Sequence, residues 1–165
     1  NCRFFNSFGP GEVPGQYRNV IPNFVYWSMQ KKSLPLTGTG DETRDFTYVL
    51  DLVQGLIKAG YYEDAIGQAF NLASGKETKI KDMISMVNNA TGNATPITEF
   101  PPRKWDTKKR LLASIDLAGK LIDYKPIISF DDGLKSNFDW FNNNWDKIQQ
   151  AADFPVGMSS AVRKK

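Results

Sequence analysis

The sequence predicts a mixed α/β domain that does not contain a complete parallel sheet. Short aromatic and β-branched runs alternate along the chain with longer stretches whose apolar residues recur at three- and four-residue steps. Gly and Pro stand at most of the junctions, where a chain changes direction. The strand-like runs are short and irregularly spaced, and no internal repeat or low-complexity tract interrupts them.

Arg3 to Phe5 reads as a short strand, followed by a turn-rich loop from Gly9 to Gly15 that holds Pro10 and Pro14. Pro22 suits the first turn of a helix, where its missing N–H costs nothing, and Phe24 through Met29 continue that helix. Leu34 to Thr37 is extended, and Gly38-Thr39-Gly40-Asp41 turns the chain sharply. After the β-branched and aromatic run Phe46 to Val49, a helix is expected from about Asp51. Val49, Leu52, Val53, Leu56 and Ile57 give it helical spacing, and Gly60 offers a stop.

Ala69 to Ala73 reads as a buried strand. The helix after it carries Ile80, Met83, Ile84 and Val87 on one face, with Ser74 (in a capping box with Glu77) or Thr78 as its cap and Gly92 as its end. Pro96 to Phe100 is a strand, and Pro101-Pro102 opens an irregular basic stretch to Arg110. Asp116 can cap a short helix bearing Leu117, Leu121 and Ile122. A last helix repeats Leu134, Phe138, Phe141, Trp145 and Ile148, a stripe that reads as core packing.

A chain of 165 residues suits one domain with a sizeable core. Hydrophobic and charged fractions of 41% and 24% match a globular protein, and a net charge of +3 with interspersed signs implies neither a nucleic-acid nor a membrane field. Arg163-Lys164-Lys165 reads as a solvated tail. Histidine is absent, which excludes a Ser-His-Asp triad and a Cys/His zinc site. Cys2 has no partner for an internal disulfide, and no apolar run reaches membrane-spanning length, so a cytoplasmic location is expected. The sequons at Asn89 and Asn93 then read as chance matches. The chain starts on an apolar segment without a Met, which reads as a cut through something larger.

Four segments carry a functional pattern. They are Arg3-Phe4-Phe5-Asn6-Ser7-Phe8-Gly9-Pro10, then Arg18-Asn19-Val20-Ile21-Pro22, then Gly38-Thr39-Gly40 with Thr43-Arg44-Asp45-Phe46-Thr47-Tyr48-Val49 and Asp51, and last Arg103-Lys104-Trp105-Asp106 with Asp116 ten residues on. Singly, each has a bland reading. Asn6 can stabilise a turn, Arg44-Asp45 can be a surface ion pair, and the basic run around Arg103 can be a solvated face. A carboxylate-pair hydrolase using Asp41, Glu42, Asp45 or Asp51 is a further reading, without a spacing to support it.

In order and spacing, the four segments resemble the C-terminal half of extended short-chain dehydrogenases/reductases acting on nucleotide sugars, UDP-sugar 4-epimerases above all. The resemblance implies that residues 1–165 form one nucleotide-sugar-binding domain, with residues 1–10 the tail of an absent Rossmann half. It implies that Asn6 and Asn19 face the nucleotide sugar, that Pro35 and Thr37 pass beside the base, and that Arg44 and Arg103 grip the diphosphate. Asp106 would accept from the ribose. Chemistry agrees: a guanidinium fork satisfies phosphate oxygens bidentately, and a carboxylate accepts from a diol. Trp105 departs from the family, which has Gly there; a side chain of that size either covers the nucleotide as an added wall or pushes Arg103 and Asp106 out of register.

The family's catalysis uses NAD and a Tyr-x-x-x-Lys pair. Neither that spacing nor a Gly-x-x-Gly-x-x-Gly loop occurs in this sequence. The expected role is therefore the substrate-binding part of an NAD-dependent epimerase or dehydratase, inactive and without bound NAD as it stands. Its expected partners are a UDP-sugar and the Rossmann half, with no nucleic acid and no membrane. The alternative is a free-standing, non-catalytic nucleotide-sugar-binding or interaction domain. Standing alone, the first strand would be an unpaired edge and an aggregation hazard.

Overall fold

The computed structural model describes residues 1–104 and 107–154. Eight short strands and six helices follow in the order β1 (Cys2–Phe4), β2 (Ser7–Phe8), α1 (Val20–Met29), β3 (Pro35–Thr37), β4 (Thr43–Arg44), β5 (Thr47–Tyr48) and α2 (Val49–Tyr61). Then come β6 (Phe70–Leu72), β7 (Thr78–Lys79), α3 (Ile80–Thr91), β8 (Thr98–Phe100), α4 (Asp116–Ile122), α5 (Phe130–Asn143) and α6 (Trp145–Ala151). The strands form four two-stranded pairs rather than one continuous sheet: β1 with β6, β2 with β5 and β3 with β8 are parallel, and β4 with β7 is antiparallel. The mixed α/β class without a complete Rossmann sheet is what the irregular strand spacing anticipates.

β1 is not left unpaired. Cys2, Arg3 and Phe4 lie in register with Phe70, Asn71 and Leu72, and the carbonyl of Asn1 accepts from the N–H of Phe70.

The main core gathers Ile21, Phe24, Val25 and Trp27 of α1, Met83, Ile84 and Val87 of α3, and Leu134 and Phe141 of α5 around Phe8, Leu36 and Tyr48. The apolar stripe expected to form one last helix is divided between α5 and α6, which meet at Asn144. Leu134, Phe141 and Ile148 are nevertheless all buried, because the break does not change the face presented to the core. Ser129 caps α5, its hydroxyl accepting from the N–H of Asp132 at 3.1 Å. A smaller core unites Leu52, Phe70, Leu72, Ala118, Ile122 and Tyr124 beneath α2 and α4. Gly55 lets these elements approach, since a Cβ there would meet Leu72 at 2.7 Å and Tyr124 at 2.8 Å.

Three expectations about helix ends are corrected. Gly60 lies inside α2, which runs on to Tyr61. Asp116 is the first residue of α4 and not its cap; it accepts instead from the hydroxyl of Ser114 at 2.8 Å. Neither Ser74 nor Thr78 caps α3. Its first two N–H groups, of Ile80 and Lys81, donate to the carbonyls of Glu42 and Gly40 at 2.9 and 3.0 Å. The Gly38–Glu42 loop thus does the work of a capping side chain, and Glu77 is free for other use. Gly92 does end α3, at φ 62 and ψ 34.

Asn93 is buried, and its amide donates to the carbonyl of Lys32 and the side chain of Asn88, in keeping with a chance sequon. Among the described residues, no helix is long and apolar enough to cross a membrane.

Candidate functional site

A cleft of about 500 Å³ opens between the start of α1, the segment from β3 to β4, and the chain after β8. Asn6, Asn19, Pro35, Thr37, Arg44 and Arg103 all line it. These are six of the seven residues singled out in the sequence; Asp106 lies outside the described residues. Arg18 and Glu42 line it too, together with the apolar Val20, Phe24, Phe46 and Ile80.

Each wall has a local cause. The loop before α1 is held from below by Asn23, buried on the helix, whose amide donates to the carbonyl of Gly15 at 3.0 Å while its oxygen accepts from the N–H of Gly15 at 2.8 Å. That exchange fixes where Arg18 and Asn19 emerge. Asn19 occupies the cap position of α1, yet its side chain does not cap; it donates to Glu12 Oε1 at 2.9 Å. Burial pushes the Glu12 carboxyl above its ordinary value, against the opposing pull of Asn19 and Arg18. The first turn of α1 holds no acidic residue, so the unpaired N–H groups there favour an anion in the cleft.

Asn6 has positive φ (30°) and donates through Nδ2 to the carbonyl of Asp45 at 3.1 Å, tying the end of β1 to β4–β5. It thus does stabilise a turn, while also lining the cleft. Gly38 and Gly40 adopt φ of 86° and 78°, a region that suits glycine. Above them the Glu42 carboxylate accepts from the N–H of Gly40 at 2.9 Å.

Arg44 is half-buried, and one terminal nitrogen donates to the carbonyls of Thr43 at 2.8 Å and Lys108 at 3.1 Å. Its neighbour Asp45 is no surface ion pair. It is fully buried and accepts from the N–H and hydroxyl of Ser74, the N–H of Gly75 and, at 3.4 Å, the N–H of Ala113. Asp51 is likewise buried, accepting from the N–H groups of Ile127 and Ile128 at 3.0 Å. Burial and these two carboxylates push the Tyr124 phenol up, so it remains a donor, here to the carbonyl of Ala73 at 3.0 Å. With Asp45 and Asp51 spent on backbone N–H groups, and Asp41 paired with Lys81 at 2.6 Å, a hydrolytic carboxylate pair has little to draw on.

The basic stretch reaches the cleft because it is strapped to β4. Thr43 donates its N–H to Lys109 and accepts from Leu111, while Arg110 forks onto Glu77 through two contacts of 2.8 Å. Thr43 adds a third bond to Glu77 at 2.7 Å. Arg110 above all, and Thr43 after it, lower the Glu77 carboxyl from 4.5 to about 2. A depressed folded-state value means that Glu77 stabilises the fold above about pH 4.5 and ceases to as pH falls toward 2. Glu77→Gln should therefore lower the melting temperature at pH 7 and make progressively less difference below pH 4.5, as melts across that range would record.

Three arginines and one carboxylate face a half-open cleft with an apolar floor. Such a site suits an elongated anion carrying hydroxyl donors and a flat ring. The sequence places Arg18 in a motif and Glu42 among clustered carboxylates without assigning either to this cleft, the first because its placement depends on Asn23, the second because its carboxylate turns back over a glycine loop.

Residues 1–73 match the model of the NAD dependent epimerase/dehydratase family. The epimerase Mth375 of Methanothermobacter thermautotrophicus is 52% identical and superposes with a TM-score of 0.92 over 93% of this chain, which spans 46% of that one. The chain belongs to the extended short-chain dehydrogenase/reductase family. Within the family, the Bordetella bronchiseptica enzyme WbmF, solved with NAD+ and UDP, is 36% identical with a TM-score of 0.78, over 90% of this chain and 47% of its own. A UDP-N-acetyl-alpha-D-glucosaminuronate decarboxylase of Bacillus cytotoxicus is 29% identical over 144 residues, 84% of this chain and 44% of the relative. The chain thus spans a little under half the length of these extended short-chain dehydrogenase/reductase relatives.

Proposed function

We propose that this chain is the substrate-holding half of an NAD-dependent nucleotide-sugar epimerase, decarboxylase or dehydratase, with a UDP-sugar as its ligand. One observation carries the reading: six residues drawn from four separate stretches of sequence converge on one cleft. Arg44 and Arg103 hold the diphosphate, helped by the start of α1. Pro35 and Thr37 lie along the base, Asn6 and Asn19 face the sugar, and Asp106 accepts from the ribose. Residues 1–165 act as one binding domain, and residues 1–10 lead out of the dinucleotide-binding half.

NAD supplies the hydride chemistry of the family. This chain's own residues do not fit it: no Gly-x-x-Gly-x-x-Gly loop occurs, and β1 runs into Asn6-Ser7-Phe8 rather than into a glycine-rich turn and helix. The chain's contribution is to bind and orient the substrate, and the redox step and its Tyr-x-x-x-Lys pair belong to the other half.

Melts against UDP, dTDP, GDP and their sugar conjugates test the reading. At a hundredfold excess over its dissociation constant, a ligand adds about 2.7 kcal/mol to the stability of the folded state. The expected result is a rise of several degrees with UDP or UDP-sugar, lost in Arg44→Ala. A cooperative melt that no nucleotide moves would overturn it.

A further inference from the structure

Asn19 stands where a helix cap belongs and does not cap. At that position an asparagine oxygen ordinarily accepts from an N–H of the first turn, yet α1 receives no such bond. The amide is turned the other way. Its Nδ2 donates to Glu12 Oε1 at 2.9 Å and, more loosely, to the carbonyl of Ser7 at 3.5 Å. An amide nitrogen carries two protons, so both are taken by residues that do not themselves line the cleft. Oδ1 has no partner among the described residues, while Asn19 is exposed and lines the cleft.

Glu12 has no comparable task in holding the loop before α1, because that loop has other ties. Asn23 exchanges two bonds with Gly15, Arg18 donates its N–H to the carbonyl of Gly15, and Gln16 donates its N–H to the carbonyl of Asp153. The Glu12 carboxylate is half-buried, and burial outweighs the pull of the Asn19 side chain, the Asn19 N–H and Arg18 on its protonation. A desolvated carboxylate needs donors, and Asn19 supplies them. Since an ionised carboxylate only accepts, it holds the nitrogen end of the amide and leaves the oxygen end out. Without such a partner an asparagine amide settles either way round about its last bond.

We propose that Glu12 is a positioning residue for sugar selection: it fixes the Asn19 amide with its oxygen toward the cleft, so that this point of the site takes a hydroxyl donor. The role rests on the reading of the preceding subsection that Asn19 faces the sugar. A sugar hydroxyl donates to Oδ1 there, whereas a group that only accepts meets it lone pair to lone pair. The effect is confined to the sugar. The groups assigned to the diphosphate and the base, Arg44, Arg103, Pro35 and Thr37, stand on other segments and have no bond to Glu12 or Asn19 among the described residues.

Calorimetric titrations with UDP, UDP-glucose, UDP-galactose and UDP-N-acetylglucosamine test this on the unsubstituted chain, Glu12→Ala, Glu12→Gln, Asn19→Ala and the double alanine variant. The quantity read is how much more tightly the best of the three sugar conjugates binds than UDP. Glu12→Ala should cut that ratio by about five- to tenfold, the scale of one hydrogen bond, with UDP itself bound as before. Glu12→Gln should restore most of the ratio, because its amide oxygen still accepts from Asn19. On the Asn19→Ala background, Glu12→Ala should change nothing further, as expected if it acts only through that amide. The side-chain amide resonances of Asn19 give a reading that needs no ligand. They should titrate with Glu12 at a midpoint above the ordinary 4.5 and lose that titration in Glu12→Gln. A ratio that survives Glu12→Ala would overturn the proposal, as would equal losses for UDP and its sugars or an Asn19 signal indifferent to Glu12. Sugars that bind no more tightly than UDP would overturn it while leaving the nucleotide part of the cleft reading intact. A chain that binds neither UDP nor its sugars would overturn the cleft reading, and this role with it.

Discussion

Asp45→Ala is expected to lower stability by roughly 3–5 kcal/mol, a loss on the order of 10 °C in melting temperature for a chain of this size. The carboxylate is fully buried and is the shared acceptor for four donors on Ser74, Gly75 and Ala113. Its removal leaves those donors without a partner in a place water enters poorly, and each unmet donor costs about 1–3 kcal/mol. Asp45→Asn should recover only part of the loss, since its amide nitrogen must donate where the native oxygen accepts. Urea unfolding at pH 7 of the three proteins would rank them. Near-equality of all three would mean that the bonds to Asp45 are dispensable.

Phe141→Ala should cost about 3–5 kcal/mol by a different route, the cavity left where a large apolar ring is removed. Phe141 is 0% exposed in the main core, and its ring stands edge-on to Trp140 with centroids 5.4 Å apart. That core also includes Phe24 and Phe46, which line the cleft, so its floor and the hydrophobic core are one body. Below its lowered melting temperature the variant should still respond to nucleotide, because no cleft-lining side chain has been removed. Denaturant unfolding with and without UDP distinguishes the two effects: the midpoint should fall, while the ligand-induced increment persists.

Most of the cleft was legible because its residues sit in short segments whose order could be compared as a set. Asn6, Asn19 and Arg44 each have an ordinary local explanation, and only their succession points to one ligand. The same motif misled at Asp45. A carboxylate written beside an arginine looks like half of an ion pair, whereas its burial depends on Ser74, Gly75 and Ala113, far along the chain. Helix starts failed for a related reason. Capping rules look for a side chain within a few positions, but the N–H groups of Ile80 and Lys81 are met by carbonyls of a loop about forty residues earlier. Periodicity located α2 but could not tell its inner face from its outer one, because both are apolar.

The strand pairs and side-chain ties join segments remote in sequence: Asn1 to Gln68, Ser33 to Thr98 and Asp45 to Ala113 lie 67, 65 and 68 residues apart. A topology of this kind folds slowly, since each long loop must close before its contacts repay the lost chain entropy. The cleft draws on residues from Asn6 to Arg103 and exists only once those closures are complete. Nucleotide capture during refolding should therefore lag behind the recovery of helical signal, which makes the ligand a clock for the final stage of folding.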